Sequence, residues 1–254
     1  MLRVIITGAS SGIGAALARR YAQNGAVLGL IARREHDLNQ LARELSATVE
    51  VYAVDVRDAG AMQAAATDFL ARHGCPDIVI ANAGISVGTL TEFAEDLPAF
   101  KEVIDINLVG MVQTFQPFIA AMRAARRGNL AGIASVAGYR GLPGAAAYSA
   151  SKAAAVSYLE SLRVELRGSG VRVTTICPGY IATPMTAQNP YPMPFIVSAE
   201  AAARSIARIV HRGDSFAIFP WQMAIVARVL RVLPDWLYDR MFGRAPRKPR
   251  RPRY

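Results

Sequence analysis

The sequence predicts an α/β fold, a doubly wound parallel sheet of seven strands. Two observations carry this. Short apolar runs rich in β-branched residues alternate with longer segments of helical period, and the runs are apolar throughout rather than at every second residue. A strand buried on both faces needs helices above and below it, and right-handed βαβ crossovers supply them on both sides. At 254 residues there is room for one such domain with a substantial core and too little for two.

The first run, residues 4–7, enters a glycine-rich turn and a helix over 13–23. Strands over 27–31 and 49–54 are followed by helices over 36–45 and 61–72. The fourth strand, 78–81, leads into a long helix over 98–126, and the fifth, 130–134, precedes a helix over 148–167. The sixth, 171–176, is followed by a Pro-broken loop and a helix over 199–211, and the seventh covers 216–219. Residues 1–220 therefore form one α/β domain, the part of the chain in which a ligand site is sought. Beyond it, 221–233 and 235–242 read as two short amphipathic helices split by Pro234, so that 221–243 is a helical extension. The Arg/Pro stretch 244–254 is expected to be an unstructured basic tail.

A hydrophobic fraction of 52% and a charged fraction of 19% exclude a disordered chain. Cys75 and Cys177 stand far apart, outside any Cys/His spacing. They suggest neither a disulfide framework nor a metal site, and fit a reducing cytoplasm. The chain runs from Met1 into a strand without an apolar leader, so export is not expected. The uncharged stretch 215–227 is too short to span a bilayer and contains Pro220. Of the net charge of +10, residues 228–254 supply +7, so the basicity belongs to the tail and does not make the domain a nucleic-acid binder.

In an open parallel sheet, ligands sit beyond the carboxyl ends of the strands. There the first strand opens into Thr7-Gly8-Ala9-Ser10-Ser11-Gly12-Ile13-Gly14. Its glycines allow a tight turn and close backbone approach to a pyrophosphate, and the helix that follows offers free N–H groups to the anion. The second strand ends Leu30-Ile31-Ala32-Arg33-Arg34, with no carboxylate to receive ribose hydroxyls. Arg33, with Arg34 and Ser10 or Ser11, is placed to pair with a 2′-phosphate, which favours NADP(H) over NAD(H).

Tyr148 and Lys152 stand four residues apart in a strongly helical segment, so they share one face. An ammonium beside a phenol is expected to lower its pKa and make it a usable acid and base. Lys152 is one of three lysines beside 26 arginines, which sets it apart from ordinary surface decoration.

The spacing Gly8-x-x-x-Gly12-x-Gly14, with Tyr148-x-x-x-Lys152, resembles the classical short-chain dehydrogenases/reductases from residue 1 to about 220. The resemblance implies a Rossmann-like fold and a set of site residues. Asp55 and Val56 match the pair that holds the adenine. Asn82, Ala83 and Gly84 match the element after the fourth strand, with Ala81 replacing its first Asn. Pro178, Gly179, Ile181 and Thr183 match the segment that flanks the nicotinamide. Ser135, thirteen residues before Tyr148, matches the hydroxyl that aims the substrate carbonyl. Asn107 matches the fourth catalytic position, whose amide and local backbone hold a water linking Lys152 to solvent. Together they imply an NADP(H)-dependent oxidoreductase acting on a small-molecule carbonyl or alcohol, and self-association as a homodimer or homotetramer through the helices over 98–126 and 148–167.

The loop 180–197, with Met185, Tyr191, Pro192, Met193, Pro194 and Phe195, reads either as a lid over an apolar substrate or as a segment packed on the body of the protein. The two C-terminal helices and basic tail either lie on an anionic membrane surface, at the inner face of a membrane, or cap the substrate side or a subunit contact. Two other functions compete: a sensor or scaffold that binds NADP(H) without turnover, and an extended-type epimerase. The first often lacks part of the catalytic set present here, and the second needs a larger C-terminal domain.

Overall fold

The computed structural model describes residues 1–250. Its centre is a seven-stranded sheet, all parallel. In chain order the first elements are β1 (Arg3–Thr7), α1 (Gly12–Ala22), β2 (Val27–Ala32), α2 (Glu35–Glu44), β3 (Val49–Ala53), α3 (Ala59–His73) and β4 (Ile78–Ala81). Then come α4 (Leu97–Ile104), α5 (Gly110–Ala125), β5 (Gly128–Ile133), α6 (Ala146–Glu165), β6 (Val171–Pro178) and two short strands, β7 (Ile181–Ala182) and β8 (Val197–Ser198). The chain continues with α7 (Ala199–Arg212), β9 (Phe216–Phe219), α8 (Trp221–Val232) and α9 (Asp235–Phe242). The sheet order is β3-β2-β1-β4-β5-β6-β9, so the crossover direction reverses between β1 and β4. A crevice opens there.

Strands β1, β2 and β4 are apolar on both faces because both faces are covered. In β1, Val4 and Ile6 pack with α1, α2 and α7, including Leu17, Leu38 and Ile206, while Ile5 packs on the other side with Met62, Phe69 and Phe115. The same period of two recurs in β4, where Ile78 and Ile80 face one core and Val79 and Ala81 the other. The stretch Ala94–Ala125 is by composition long and apolar enough to cross a bilayer. It buries Ile106, Met111, Phe115, Phe118 and Met122 in the second core, as a core helix does.

Two expectations are corrected. The helix over 98–126 is not uniform: residues Asp105–Val109 form a π turn between α4 and α5, the kind of local bulge that widens a helix where a side chain must be re-aimed. The helical extension packs on the domain. Met223 packs where a side chain on Gly179 would lie, and Arg140 donates to the carbonyls of Leu230 (3.2 Å) and Leu233 (2.9 Å). The tail is not unstructured over 244–250: Gly88 N–H donates to Pro249 O (3.0 Å), and Arg250 pairs with Asp96 (2.8 Å) and covers the ring of Phe93 at 3.9 Å. An acid and an aromatic face supply the partners that composition alone did not reveal. The remainder of the expected tail, 251–254, lies outside the described residues.

Candidate active site

A cavity of about 490 Å³ lies at the β1/β4 reversal, within the range of small-ligand sites. On one wall are Gly8, Ser10, Ser11, Gly12 and Ile13. The turn exists because Gly8 (φ +66°) and Gly12 (φ +54°) adopt the left-handed region. A Cβ on Gly14 would sit on the carbonyl of Gly8, so Gly14 lets α1 close onto the turn without itself lining the cavity. Asp58 and Ser198 cap α3 and α7 with their own side chains, whereas Ser11 at the start of α1 makes no such bond. The first turn of α1 is left to an outside acceptor.

Asn82 fixes this loop. Its Nδ2 donates to the carbonyls of Thr7 (3.0 Å) and Gly8 (3.3 Å), and its backbone N–H donates to Thr7 Oγ1 (3.1 Å), as that of Ala83 does (3.3 Å). The carboxyl ends of β1 and β4 are thereby locked together. Thr183 stands opposite, since a Cβ on Gly12 would lie 3.2 Å from its methyl group.

At the end of β2, the two arginines differ. Arg34 donates from one Nη to both Ser10 Oγ and Ser11 Oγ at 3.0 Å, while Asp37 holds its Nε at 2.7 Å. Arg33 leans the other way, 3.8 Å from Asp55. Asp55 is engaged chiefly by Arg57, whose side-chain hydrogen bonds hold the Asp55 carboxyl below the usual carboxylate range. Arg33, Arg34, Asp55 and Val56 all line the cavity. The Arg34 cluster presents a fixed cation and two hydroxyls, a donor set suited to a phosphate.

Ser135, Tyr148 and Lys152 line the same cavity. Ser135 follows β5 and starts a tight turn over Val136–Gly138, where its Oγ accepts from Ala137 N–H (3.1 Å). A Cβ on Gly138 would lie 2.8 Å from the backbone of Lys152, so this turn rests directly on α6 and sets Ser135 against Tyr148 and Lys152. Lys152 is buried and donates to the Ile133 carbonyl at 2.8 Å; its Nζ is 5.8 Å from the centre of the Tyr148 ring.

At that separation the expected ammonium effect on the phenol is outweighed. Loss of solvation pushes the Tyr148 pKa up, opposed by the neighbouring Ser135 hydroxyl. Burial brings Lys152 down to about 8.

Asn107 does not line the cavity. Fully buried in the π turn, it donates from Nδ2 to Ile85 O (3.0 Å) and Ser151 Oγ (3.0 Å), and its Oδ1 accepts from Ile85 N–H (2.8 Å). Its amide is thus spent on bracing the segment after β4. Gly84 lies between, since a Cβ there would be 3.2 Å from Asn107 Oδ1 and 3.7 Å from Lys152 Nζ.

Pro178, Gly179, Ile181 and Thr183 complete the lining, joined by Ile85, Ser86, Val87, Ile106, Pro184, Met185 and Gln188, which the motifs did not single out. Ile85, Ser86 and Val87 follow the Asn82-Ala83-Gly84 element directly, and that adjacency was the one available signal. The loop 180–197 is pinned at its base by β7 pairing with β8. Met185 reaches the cavity, while Phe195 stays 49% exposed and so is not packed into the body.

A model of the short chain dehydrogenase family matches residues 3–192. An uncharacterized oxidoreductase of Myxococcus xanthus is 42% identical over 240 residues, which cover 92% of this chain and 94% of that one. An 11-beta-hydroxysteroid dehydrogenase A of Sesamum indicum is 32% identical over 97% of this chain and 77% of its own. Among solved structures, an alcohol dehydrogenase from the archaeon Thermococcus sibiricus, complexed with 5-hydroxy-NADP, superposes with a TM-score of 0.75 at 26% identity, covering 86% of this chain and 96% of that one. The glycine turn at a β1/β4 crevice, the family match over most of the chain and relatives of nearly equal length place this protein among the short chain dehydrogenases, as an oxidoreductase of that family.

Proposed function

We propose that the protein is an NADP(H)-dependent carbonyl reductase or alcohol dehydrogenase, acting on an apolar substrate with Tyr148 as proton donor and acceptor. One observation carries this reading: Ser135, Tyr148 and Lys152 line the same cavity as the Arg34, Ser10 and Ser11 cluster. The names of the relatives, an 11-beta-hydroxysteroid dehydrogenase and an alcohol dehydrogenase complexed with 5-hydroxy-NADP, agree with both the chemistry and the cofactor.

The uncapped first turn of α1, with Gly8 and Gly12, would hold the pyrophosphate; Arg34 with Ser10 and Ser11, and Arg33 beside them, the 2′-phosphate; Asp55 and Val56 the adenine; and Gly179, Ile181 and Thr183 the nicotinamide side. When bound, the nicotinamide supplies or accepts the hydride. The chain's own residues manage the substrate oxygen. Ser135 accepts from Ala137 and keeps its own hydrogen for that oxygen, and Tyr148 gives it the proton as negative charge develops. The raised pKa of Tyr148 keeps the phenol protonated at neutral pH, the state that reduction needs. Lys152 exchanges its proton near pH 8 and can restore the phenol's. Asn107 acts by holding Ile85 in the cavity wall.

Ile85, Val87, Ile106 and Met185 make the remaining wall apolar, which suits an apolar ketone. Self-association is assigned to α4, α5 and α6, where Leu97 and Val164 lie exposed. Incubating the protein with NADPH or NADH and ketones of graded chain length, and following loss of nicotinamide absorbance, tests the proposal. Turnover that requires NADPH and rises with chain length is expected; no turnover of any ketone or of the matching alcohols sinks it.

A further inference from the structure

Helices α8 and α9 have an inner side with a partner and an outer side without one. Inside, Met223, Ala227 and Tyr238 are buried, and Tyr238 donates to Gly141 O at 2.5 Å while its ring lies 4.4 Å beneath the Arg140 guanidinium. Outside, Trp221 (68% exposed), Ile225, Val229 and Val232 (79%) recur at steps of four, four and three, which confines them to an arc of about 80° on α8. Trp236, 70% exposed, extends this surface onto α9. Monomeric proteins rarely leave so many large apolar side chains together in water.

Charge indicates what covers it. Arg228 borders the stripe on α8, Arg240 stands one turn from Trp236, and Arg244 follows α9; all three are exposed, whereas the Arg231 guanidinium lies over the Tyr139 ring, 6.0 Å from its centre. None pairs with a carboxylate among the described residues, and of the segment's two acids, Asp235 is held by Arg140. A second copy docked by the same face would set these arginines against their own kind. A surface of lipid phosphates would neutralise them while its acyl boundary received the apolar stripe. Tryptophan is the side chain best suited to that boundary.

We propose that the outer face of α8 and α9 docks on an anionic lipid bilayer, with Trp221, Ile225, Val229, Val232 and Trp236 entering the headgroup boundary and Arg228, Arg240 and Arg244 meeting phosphates. This stands independently of the cofactor and the reaction. It also places the docked helices beside the cavity: Met223 of α8 packs against Gly179, which lines it, and Arg140 and Tyr238 tie α8 and α9 to the loop that precedes Tyr148.

The two tryptophans are the only ones in the chain, and both lie on this face, so their fluorescence reads the docking directly. With vesicles of equal parts phosphatidylglycerol and phosphatidylcholine, the full-length protein should co-sediment and its emission should shift to the blue. Pure phosphatidylcholine should bind far less. Val229→Asp with Val232→Asp should abolish sedimentation while leaving turnover of a water-soluble ketone, or the circular dichroism spectrum, unchanged. Replacing Arg228 or Arg240 by Ser should weaken binding about fivefold each. Absence of sedimentation with the anionic vesicles, or sedimentation that the paired aspartates do not reduce, overturns the proposal. So does a blue shift that grows with protein concentration without vesicles, which would identify a second copy as the occupant.

Discussion

Lys152 donates a hydrogen bond from Nζ to the carbonyl oxygen of Ile133 at 2.8 Å, tying α6 to the carboxyl end of β5. The bond keeps the buried ammonium off the Tyr148 ring in this state and leaves it beside the cavity. It also explains how a lysine can be interior at all: a buried cation without an acceptor would give up its proton far more readily.

The first prediction concerns the charge on Lys152. Its folded value of about 8 lies below the ordinary lysine value, so burial disfavours the charged form in the free protein, which keeps the majority only below that pH. A dinucleotide whose oxygens accept from Nζ favours the charged form, and binding then takes up a proton. NADPH affinity should therefore be greatest below about pH 8 and fall by up to tenfold per pH unit above it. Fluorescence titration of NADPH from pH 6 to 10 measures this, and Lys152→Met should give weaker, nearly pH-independent binding.

Tyr148→Phe removes the proton donor and keeps the ring that fills the same space. Turnover should fall about 100- to 10,000-fold, while the dissociation constant for NADPH changes little. In the intact protein the raised pKa of Tyr148 predicts that ketone reduction holds up at neutral pH. Alcohol oxidation, which needs the phenolate, should increase as pH rises. Paired pH profiles in the two directions check the sign.

The outline of the fold was legible because burial on both faces leaves a simple trace. Strands β4 and β9 fall where their apolar runs lie. The glycine turn and the Tyr148/Lys152 pair were equally plain, since their chemistry depends on local spacing. What needed distant partners was not. Arg33 and Arg34 are adjacent in sequence, and only the fold shows that Arg34 faces Ser10 and Ser11 while Arg33 is drawn to Asp55. The π turn at Asn107 follows from its amide reaching Ile85, 22 residues away. The ordered tail depends on Asp96, 154 residues from Arg250.

That difference between the arginines yields a cofactor test. Arg34→Ala removes the donor aimed at both serines, and its charge-assisted bonds to a phosphate should account for about 10- to 100-fold in NADPH KM. NADH KM should be unaffected. Arg33→Ala should have the smaller effect, because its guanidinium lies toward Asp55. Equal losses for both nucleotides would remove Arg34 from phosphate recognition.

Asn107→Ala should cost stability before it costs chemistry. The substitution at fully buried Asn107 strands the partly buried Ile85 N–H and C=O and removes one bond to Ser151. Two unsatisfied backbone groups imply a loss of about 2–4 kcal/mol, read as a lower midpoint in urea with an unchanged slope. Because Ile85 lines the cavity, KM for an apolar ketone should rise as well.

The tail offers the last test. Arg250 grips Asp96 through both ends of its guanidinium, with contacts of 2.8 and 2.9 Å, and stacks on Phe93. Lys248 is buried beside it, so the bond after Arg247 is shielded only while the strap stays closed. Arg250→Ala removes the paired contacts to Asp96 and the cover over the Phe93 ring, which should raise the open population severalfold. Tryptic cleavage after Arg247 should accelerate by that factor, while the midpoint of global unfolding moves little, because the strap opens without the sheet. Cleavage at the wild-type rate would mean that Gly88 and Pro249, joined through their backbones, hold the tail without Arg250.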